Sequence, residues 1–485
     1  MKLSEVISGI PVLELHADPD MEITGVECDS RAVKSGNLFA AIPGFSSDGH
    51  KFIPMAVRNG CAAVLCQVPP QIEIPYILVE DSRLCLALCS CSFYRHPSRE
   101  MKIIGITGTN GKTTTSVIVK QLLEKCLHTK VGLVGSICNM IGDEEFHTEH
   151  TTPESNDLQR LFRQMADAGC THCVMEVSSH SLVLHRVAGT SFAAGVFTNL
   201  TQDHLDFHET MEAYAGAKAM LFPMCRTAAG NADDQWFDTV MADAPRPIYT
   251  FSAKKDTAEL TARNVRLSPD QVRFCALEGS KLVRTSLGLP GQFSVYNALT
   301  ALACARMMGV PLKDAAEALP GCRGAKGRLE PVPTDGDYTI YIDYAVTPDA
   351  VENVLKTLRP IAPGRLVMLF GCGGDRDRKK RPIMGRIASE LSDFVIVTSD
   401  NPRTEDPQAI IDEILPGLEG GKTPYKVICD RPSAIRWAIE NHQDGDLILL
   451  CGKGHEDYQI IGHEKIHMDE REIVAEILRE REERK

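Results

Sequence analysis

Short apolar runs, separated by turn residues and amphipathic stretches, form the main pattern of the chain. Residues 101–107 (MKIIGIT), 131–137 (VGLVGSI) and 172–177 (HCVMEV) are rich in Ile, Val and Met, which is typical of buried strands. Residues 113–127, which follow the first run, carry apolar side chains at helical spacing instead. Because strands that alternate with helices build a doubly wound, mostly parallel sheet, we predict such a sheet in the middle of the chain.

The same alternation begins again in the last third of the chain. The strands predicted there are TIYIDYA, RLVMLFG, FVIVTSD and DLILLCG, with helical stretches such as residues 348–358 and 432–442 between them. They predict a second, Rossmann-like α/β domain. A length of 485 residues suggests about three domains at roughly 100–200 residues each. We predict a small N-terminal α/β domain at 1–98, a central domain at 99–330 and a C-terminal domain at 331–485.

Composition argues against two broad classes of protein: non-specific nucleic-acid binders and membrane-spanning proteins. Hydrophobic residues make up 43% of the chain and charged residues 24%, an ordinary globular balance, and the net charge of −13 disfavours non-specific nucleic-acid binding. No apolar run is long enough to span a bilayer, and the N-terminus lacks a signal-peptide pattern. We therefore expect a cytoplasmic protein without disulfides, in which Cys85, Cys89 and Cys91 are core thiols. We also expect a monomer, although composition does not decide the oligomeric state.

Residues 105–115 (GITGTNGKTTT) are the strongest chemical signal in the sequence. They lie between a predicted strand and a predicted helix, where backbone N–H groups and the helix dipole favour an anion. Gly108 and Gly111 permit close approach of a phosphate, Lys112 adds a positive charge, and the Thr113 hydroxyl suits Mg²⁺. We predict that this loop binds ATP and is more than a glycine-rich turn.

Three further segments carry groups that would assist a bound nucleotide. Glu176 ends a predicted strand, where open α/β sheets place their ligands, and its carboxylate suits Mg²⁺. His204 and His208 are four residues apart and would share a helix face. Lys218 lies among Ala, Met and Leu, where burial would favour a neutral amine that can add CO₂ and become a carbamate ligand of Mg²⁺. The sequence alone leaves ordinary solvated side chains, or a snorkelling lysine, as the alternative.

Polar loops follow three predicted strands of the C-terminal domain. They are residues 371–382, 399–406 and 451–459. Because the carboxyl ends of parallel strands share one edge, we predict a single site there, in which Arg376, Arg403 and Glu456 bind a substrate with carboxylate and ammonium groups. The alternative for each is a solvated loop charge. Residues 463–467 (HEKIH) match a zinc-protease pattern, but that pattern requires a helix, and none is expected there.

In their order along the chain, these motifs resemble the Mur ligase family over essentially the whole length. Besides the phosphate loop, the resemblance rests on CDSRAVKSGNLFAAIPGFSSDGHKFI, HTTPESNDL, MEVSSHSLVLHRV, TNLTQDHLDFH, YAGAKAM, GCGGDRDRKKRP, DNPR and GKGHEDYQ. It implies a three-domain α/β ligase that uses ATP and Mg²⁺ and acts on small molecules, a uridine-linked muramoyl peptide and an amino acid.

The resemblance also implies roles for particular residues. The implied ATP-binding residues are Thr107, Gly108, Thr109, Asn110, Gly111, Lys112, Thr113, Asn297, Arg328 and Asp343. The implied Mg²⁺ ligands are Thr113, Glu176, His204 and a carbamylated Lys218, and the last three are implied to be catalytic together with Lys112. The implied contacts to the UDP-muramoyl peptide are Ser30, Thr151, Thr152, Ser178 and Arg186. The implied diaminopimelate contacts are Arg376, Asp400, Asn401, Pro402, Arg403, Gly452 and Glu456.

By the same resemblance, the chain would join meso-2,6-diaminopimelate to the D-glutamyl residue of UDP-N-acetylmuramoyl-L-Ala-D-Glu through an acyl phosphate, in peptidoglycan precursor synthesis. DNPR favours diaminopimelate over lysine, because lysine would leave the Arg403 guanidinium unpaired. Val346 stands where the family usually has histidine, and Leu184 where relatives often carry glutamine. A lysine-adding relative, a folylpolyglutamate-synthase-like ligase and a non-catalytic nucleotide-binding regulator remain as alternatives.

Overall fold

The chain forms two compact units in a computed structural model that describes residues 1–44, 47–148 and 150–483. The first unit comprises Met1–Thr261, Glu278–Lys281 and Leu299–Ala318, and the second comprises Ala262–Leu277, Leu282–Ala298 and Leu319–Lys485. Phe45 and Ser46, which belong to the segment expected to bind the uridine nucleotide, lie outside the described residues. Within the described ranges, no helix combines the length and apolar character needed to cross a membrane.

The first unit begins with a small α/β layer. Its strands are β1 (Val12–His16), β2 (Gly25–Glu27), β3 (Asn37–Ala40), β4 (Ala63–Cys66) and β5 (Tyr76–Val79), and its helices are α1 (Leu3–Val6), α2 (Ile53–Arg58) and α3 (Ser82–Phe93). The five-stranded sheet has the order β1-β5-β4-β3-β2 and is parallel except for the β1–β5 pair. Along β3, Leu38 and Phe39 belong to different hydrophobic clusters, because successive side chains of a strand point to opposite faces.

The next part of the chain, up to residue 318, supplies most of the remaining first unit. Its strands are β6 (Lys102–Thr107), β7 (Val131–Val134), β8 (Asn139–Ile141), β9 (Glu144–Phe146), β10 (His172–Glu176), β11 (Phe192–Phe197), β12 (Cys225–Asn231), β13 (Ile248–Ser252), β14 (Leu260–Leu267), β15 (Val272–Glu278) and β16 (Lys281–Leu287). Its helices are α4 (Lys112–Leu127), α5 (Ser155–Asp167), α6 (Ser179–Val183), α7 (Leu205–His208), α8 (Met211–Ala219), α9 (Phe237–Val240), α10 (Gln292–Met307) and α11 (Leu312–Ala318).

The sheet of the first unit places β6 between two parallel neighbours. The order is β13-β12-β11-β6-β10-β7-β8-β9, in which the pairs from β13 to β7 are parallel and the β7–β8 and β8–β9 pairs are antiparallel. Ile103, Ile104 and Ile106 of β6 are completely buried, as expected for a central parallel strand that is covered on both faces. The predicted doubly wound, mostly parallel sheet is confirmed.

Most of the second unit is formed by the residues after Leu319. The strands are β17 (Glu330–Val332), β18 (Thr339–Asp343), β19 (Leu366–Phe370), β20 (Phe394–Val397), β21 (Tyr425–Val427), β22 (Leu447–Cys451), β23 (Tyr458–Ile461) and β24 (Glu464–His467). The helices are α12 (Pro348–Leu358), α13 (Lys380–Leu391), α14 (Pro407–Glu419), α15 (Arg431–Glu440) and α16 (Glu470–Glu483). Earlier in the chain, β14, β15 and β16 are consecutive neighbours in a sheet.

The six-stranded sheet of the second unit has the order β17-β18-β22-β19-β20-β21 and is parallel from β18 to β21. Two hydrophobic clusters cover its faces, with Tyr341 and Leu449 in one and Ile340 and Ile448 in the other. The predicted Rossmann-like α/β character is confirmed. The predicted domain boundaries at residues 98 and 330 stay a prediction.

Candidate functional site

The predicted phosphate loop joins β6 to α4 at the carboxyl edge of the first unit's sheet. Thr107 ends β6 and is fully buried. Gly111 precedes α4 with a left-handed backbone (φ 82°), which glycine adopts without the steric clash of a Cβ. A Cβ on Gly108 would lie 1.9 Å from Thr198 Oγ1, so only glycine fits there. The loop thus leads directly to the N-terminus of α4, where unpaired N–H groups favour a phosphate.

The segment after β11 fixes the backbone of this loop. The Thr109 N–H donates to the Asn199 carbonyl oxygen at 2.8 Å, and the Asn110 N–H donates to Asn199 Oδ1 at 3.0 Å. The Lys112 ammonium donates to the carbonyl oxygens of Gly108 and Thr109, both at 2.9 Å. The Lys112 ammonium can exchange these two bonds for charge-assisted bonds to phosphate oxygens.

Glu176 is fully buried at the end of β10 and connects the phosphate loop to neighbouring hydroxyl groups. Its Oε2 accepts from Thr113 Oγ1 at 2.9 Å and from Ser136 Oγ at 3.0 Å, and its Oε1 accepts from the Ser136 N–H at 2.8 Å. Thr151 Oγ1 lies 3.0 Å from Ser136 Oγ. The structure therefore brings together two predicted Mg²⁺ ligands and one predicted contact to the muramoyl peptide.

The donors in this cluster fit Mg²⁺ by their chemistry, because Thr113 and Glu176 offer the hard oxygen atoms that this ion prefers. Among residues 1–44, 47–148 and 150–483, no group of three or more His, Cys, Asp or Glu side chains is gathered for metal binding. On nucleotide phosphates, Mg²⁺ usually takes only one or two protein carboxylates, and water and phosphate oxygens complete its octahedron.

Lys218 lies on α8 with only 1% of its surface exposed. Its Nζ donates to the Gly108 carbonyl oxygen at 2.8 Å and lies 4.4 Å from the centre of the Tyr214 ring. Burial, assisted by the nearby Lys112 ammonium, lowers the pKa of Lys218 well below its ordinary value. The snorkelling alternative is wrong, because the whole side chain is buried. A lowered pKa favours the neutral amine, which is a nucleophile.

The two predicted histidines do not share a helix face, contrary to the sequence prediction. His204 precedes α7 with a left-handed backbone (φ 52°), and the helix itself comprises only Leu205–His208. The exposed ring of His204 packs edge-on against His180, with the ring centres 4.9 Å apart. His208 is buried, its Nε2 lies 2.8 Å from Ser179 Oγ, and burial lowers the pKa of its imidazole to about 4. Of the two histidines, His204 is therefore the more accessible.

Three of the predicted muramoyl-peptide residues meet beside Glu176. Thr152 Oγ1 donates to the Glu176 carbonyl oxygen at 2.8 Å, and the Ser178 N–H donates to Thr152 Oγ1 at 3.3 Å. The Arg186 guanidinium donates to the Thr152 carbonyl oxygen at 3.1 Å and pairs with Glu154 at 2.6 Å. Two hydroxyl residues and the Arg186–Glu154 ion pair thus lie next to one another beside the main chain of Glu176.

Ser30 lies apart from this cluster in the small N-terminal layer. Its hydroxyl donates to Met55 Sδ at 3.3 Å, and its carbonyl oxygen accepts from Asn59 Nδ2 at 2.8 Å. The N-terminal layer nevertheless reaches the cluster, because Arg83 lies 3.6 Å from Glu154, the partner of Arg186.

The polar loops of the second unit meet at the carboxyl ends of β20 and β22. Asn401 Nδ2 donates to Glu456 Oε2 at 2.9 Å. A Cβ on Gly452 would lie 2.8 Å from Asp400 Oδ2, and this buried oxygen has no hydrogen-bond partner in the described structure. A buried carboxylate oxygen without a donor is unfavourable. Its position beside Asn401 therefore fits a site that receives an ammonium group.

Two predicted arginines approach the same loop. A Cβ on Gly373 would lie 2.9 Å from Arg403 Nη1 and 3.7 Å from Arg376 Cγ, so both side chains flank this glycine. Arg403 Nη1 also donates to the Gly374 carbonyl oxygen at 2.8 Å, and Gly374 packs closely against the Pro402 carbonyl. The structure thus brings Arg376 and Arg403, both predicted to bind diaminopimelate, to the same glycine-rich loop.

A hairpin formed by β23 and β24 holds the backbone of Arg403. The Arg403 N–H donates to the Ile460 carbonyl oxygen at 3.0 Å, and the Gly462 N–H donates to the Arg403 carbonyl oxygen at 2.7 Å. The HEKIH segment, residues 463–467, forms the turn and second strand of this hairpin and not a helix. This hairpin geometry does not fit a zinc-protease site, because the motif needs both histidines on one helical face.

The three remaining predicted nucleotide contacts lie in the second unit. Asn297 is buried on α10. The Arg328 guanidinium lies 5.2 Å from the centre of the Tyr344 ring. The buried Asp343 carboxylate accepts from the Leu329 N–H at 2.8 Å, and burial raises the pKa of Asp343. Arg328 lies just before β17, and Asp343 ends β18.

Sequence reasoning missed several residues of these sites. Ser136 follows β7 at the carboxyl edge of the sheet, so the strand-end rule that selected Glu176 also applies to it. Lys453 is completely buried, which its Gly-Lys-Gly context does not reveal. Lys380 Nζ donates to the Val346 carbonyl oxygen at 2.8 Å, so a cation lies beside the position where the family pattern has histidine.

Comparison with known proteins adds a second line of support. Three family models match successive parts of the chain: "Mur ligase family, catalytic domain" over residues 22–87, "Mur ligase middle domain" over 106–305 and "Mur ligase, glutamate ligase domain" over 327–454. A UDP-N-acetylmuramoyl-L-alanyl-D-glutamate–2,6-diaminopimelate ligase of Caldanaerobacter subterraneus subsp. tengcongensis is 46% identical over 485 residues, covering 99% of this chain and 100% of that protein.

Two further matches agree. A Clostridium botulinum protein with the same name is 45% identical and covers 95% of this chain and 96% of its own length. A solved structure of a ligase with this name is 32% identical to the chain, with a TM-score of 0.75 and 99% of each chain covered. The similarity thus extends over both units.

Proposed function

The chain belongs to the Mur ligase family, and from that premise we propose that it joins meso-2,6-diaminopimelate to UDP-N-acetylmuramoyl-L-Ala-D-Glu with ATP as the energy source. This makes it an ATP-dependent acid–amino-acid ligase of peptidoglycan precursor synthesis. The proposal includes a cytoplasmic, monomeric protein with domain boundaries at residues 98 and 330. The relatives' names supply the two substrates, and the geometry of the chain supplies the roles of its residues.

One contact carries most of the structural argument. Thr113, the first hydroxyl residue after the phosphate-loop lysine, donates to Glu176 Oε2 at 2.9 Å. Glu176 is in turn bonded through its main chain to Thr152 and through Ser136 to Thr151. A γ-phosphoryl group held at the α4 N-terminus would therefore lie close to a carboxylate held by the threonines. Phosphoryl transfer requires such proximity and alignment.

In the first step, the substrate's D-glutamyl carboxylate oxygen would attack the γ-phosphorus of ATP, and the bond to the β,γ-bridging oxygen would break to release ADP. The Lys112 ammonium and the first N–H groups of α4 are suited to stabilise the charge that builds up on the phosphoryl oxygens. Arg186 and the hydroxyls of Thr151 and Thr152 are suited to hold the precursor in line.

Mg²⁺, if bound by Thr113, Glu176, His204 and a Lys218 carbamate, would neutralise phosphate charge during transfer. For its part, neutral Lys218 would attack CO₂, form a new C–N bond and lose one proton. The product is an anionic carbamate, for which the buried and depressed-pKa amine is suited. The carbamate would also place a negative charge near the Lys112 ammonium, which is a favourable interaction.

In the second step, a neutral amine of the amino acid attacks the acyl carbon, the bond from that carbon to the phosphate oxygen breaks, and phosphate leaves. The amine loses a proton as the amide forms. The second unit offers Asp400 Oδ2 and Glu456 for ammonium groups and Arg376 and Arg403 for carboxylates. Diaminopimelate carries two of each group, whereas lysine has a single carboxylate and would leave one guanidinium without its partner.

The test is phosphate release from purified protein with ATP, Mg²⁺ and UDP-N-acetylmuramoyl-L-Ala-D-Glu. Parallel reactions receive meso-diaminopimelate, L-lysine or no amino acid, and amide product is identified by mass spectrometry. Release and product with diaminopimelate are expected. Product with lysine alone would contradict the acceptor assignment, and formation of neither acyl phosphate nor product would favour a non-catalytic nucleotide-binding protein.

A further inference from the structure

Lys453 is a completely buried lysine that the proposed mechanism does not use. It lies in the loop after β22, between Gly452 and Gly454. Its Nζ donates to Glu456 Oε2 at 2.7 Å and to Asn401 Oδ1 at 2.8 Å. A buried ammonium is strongly unfavourable unless a carboxylate and further acceptors satisfy it. Both of its partners here are residues already assigned to the amino-acid site.

The ammonium determines how the Asn401 side chain is oriented. Asn401 Oδ1 accepts from both Lys453 Nζ and the Ile460 N–H, the latter at 3.0 Å. Both are donors only, so the amide oxygen must face them and the NH₂ group must face the other way. Asn401 Nδ2 then donates to Glu456 Oε2 at 2.9 Å. One buried cation thus fixes an amide that has two possible orientations.

Lys453 also orients Glu456. The Glu456 side chain is 12% exposed, and its Oε2 receives both the ammonium and the Asn401 amide. Oε1 takes part in neither of these bonds. Burial raises the pKa of Tyr458, and a side-chain hydrogen bond between Glu456 and Tyr458 contributes to this rise. Because Lys453 already balances one negative charge, Glu456 attracts a second cation less strongly than an unpaired carboxylate would. Tight binding then requires the carboxylate of the amino acid on Arg403 as well.

We propose that Lys453 is a positioning residue for the amino-acid acceptor: it fixes Asn401 and Glu456 and makes acceptance depend on the second carboxylate. The inference rests on the proposed function, because it assumes that Asn401 and Glu456 contact the amino acid. Lys453 itself does not touch the reacting atoms, so its effect belongs to acceptor binding and selection. Formation of the acyl phosphate, which needs no amino acid, should not depend on it.

The test compares Lys453→Met with Lys465→Met. Both lysines lie near the ring of Tyr458, with Nζ 5.2 Å and 3.6 Å from its centre, but Lys465 is exposed on β24. For Lys453→Met we expect the KM for diaminopimelate to rise at least ten-fold, while the KM for ATP and the single-turnover yield of acyl phosphate stay within about two-fold. The ratio of kcat/KM for diaminopimelate over L-lysine should fall. Lys465→Met should match the wild type in all of these quantities.

A double-mutant cycle separates positioning from general stability. If Lys453 acts through Glu456, the double variant Lys453→Met/Glu456→Gln should be no worse than Glu456→Gln alone. It also removes both charges of the buried pair, so it should fold even if Lys453→Met, which leaves a carboxylate unpaired, does not. Additive losses, an unchanged KM for diaminopimelate, or a parallel loss of acyl-phosphate formation would each overturn the proposal.

The wild-type reactions distinguish this failure from a failure of the proposed function. A wild type that makes product with diaminopimelate, together with a Lys453→Met variant of unchanged KM, contradicts only the role of Lys453. A wild type that binds no diaminopimelate by calorimetry and makes no product contradicts both.

Discussion

Lys218 is a buried amine whose nitrogen donates to a carbonyl oxygen and not to a carboxylate. Lys120 provides a contrast on the same unit: it is also buried, with 4% exposed, but its ammonium pairs with Glu124 at 2.7 Å. A carboxylate beside an ammonium stabilises its charge, whereas the burial of Lys218 lowers the pKa of that amine and favours its neutral, nucleophilic form. The two lysines should therefore differ in their reactivity towards CO₂.

We predict that ¹³C-bicarbonate labels the protein with one carbamate resonance that depends on Lys218. Lys218→Met should lose this resonance and reduce kcat by roughly 10²–10³-fold, the size expected when a preorganised charge in a reaction centre is removed. Lys120→Met should retain both the resonance and most of the activity. A resonance that persists in Lys218→Met would contradict the carbamate, and so would full activity of that variant.

At Lys218 the sequence offered one relevant feature, a lysine among apolar helix residues, but it left a snorkelling lysine as the alternative; only the structure shows that the side chain is buried. Sequence reasoning missed the burial of Lys453. That burial depends on two loops that are distant in sequence, residues 399–406 and 451–459. The prediction that His204 and His208 share a helix face was wrong for a related reason. Four-residue spacing implies one helix face only if the helix includes both residues. His204 instead precedes the helix and has a left-handed backbone conformation.

At the scale of elements, strand–helix alternation was sufficient to predict both parallel sheets and the strand ends at which the polar loops lie. It could not show which loops touch. The phosphate loop is fixed by Asn199 and Thr198, residues that follow a different strand, β11. Such contacts depend on strand order, and β6 lies beside β10 and β11, which come much later in the chain.

The packing of the phosphate loop makes a prediction about Gly108. In Gly108→Ala the new methyl group would overlap Thr198 Oγ1, so the loop must shift and nucleotide affinity should fall at least ten-fold. Adding Thr198→Ala removes that oxygen and should restore part of the affinity, but not all, because Asn199 backbone atoms would still lie 3.1 Å from the methyl group. Isothermal titration with ADP measures both effects.

Gly420→Ala is the matched control, since a Cβ there would meet nothing within 4 Å and its backbone is in the right-handed helical region. Its ADP affinity should equal that of the wild type. If Gly108→Ala binds ADP normally, the close contact with Thr198 does not constrain the loop.

At the scale of the whole molecule, each unit has its own hydrophobic clusters, and a buried charge network contributes to the second. Arg381 is completely buried and pairs with Glu405 at 2.8 Å and with Glu413 at 2.8 Å. The hydrogen bond from Arg381 lowers the pKa of Glu405 from 4.5 to about 2. This interaction ties α13 to the loop that follows Asp400.

The free energy of unfolding of the second unit should therefore depend on pH in the acidic range. Because the folded-state pKa of Glu405 is depressed, its contribution is complete above the unfolded-state pKa near 4.5 and is lost as the pH falls through about 2. Glu405→Gln should have a lower free energy of unfolding at pH 7 and a shallower decline between pH 5 and 2. Urea unfolding followed by Trp437 fluorescence, in a Trp236→Phe background, reports this unit specifically.

The control for acid dependence is Glu390→Gln, which changes an exposed carboxylate on α13, 56% exposed and paired with Arg386. Exposed pairs contribute little, so both the stability at pH 7 and the slope should match those of the parent. If the unfolding free energy falls equally with pH in the parent, in Glu405→Gln and in Glu390→Gln, the Arg381–Glu405 pair has no stabilising role.

The hairpin of β23 and β24 has a practical meaning for anyone who wishes to redesign the acceptor. The N–H and the carbonyl oxygen of Arg403 both form main-chain hydrogen bonds with a segment nearly sixty residues later in the sequence, at Ile460 and Gly462. Transplanting only residues 400–403 into a related scaffold would transfer the side chains without the backbone that aims them. The natural module for exchange is the loop together with its distant hairpin, and chimeras should be cut accordingly.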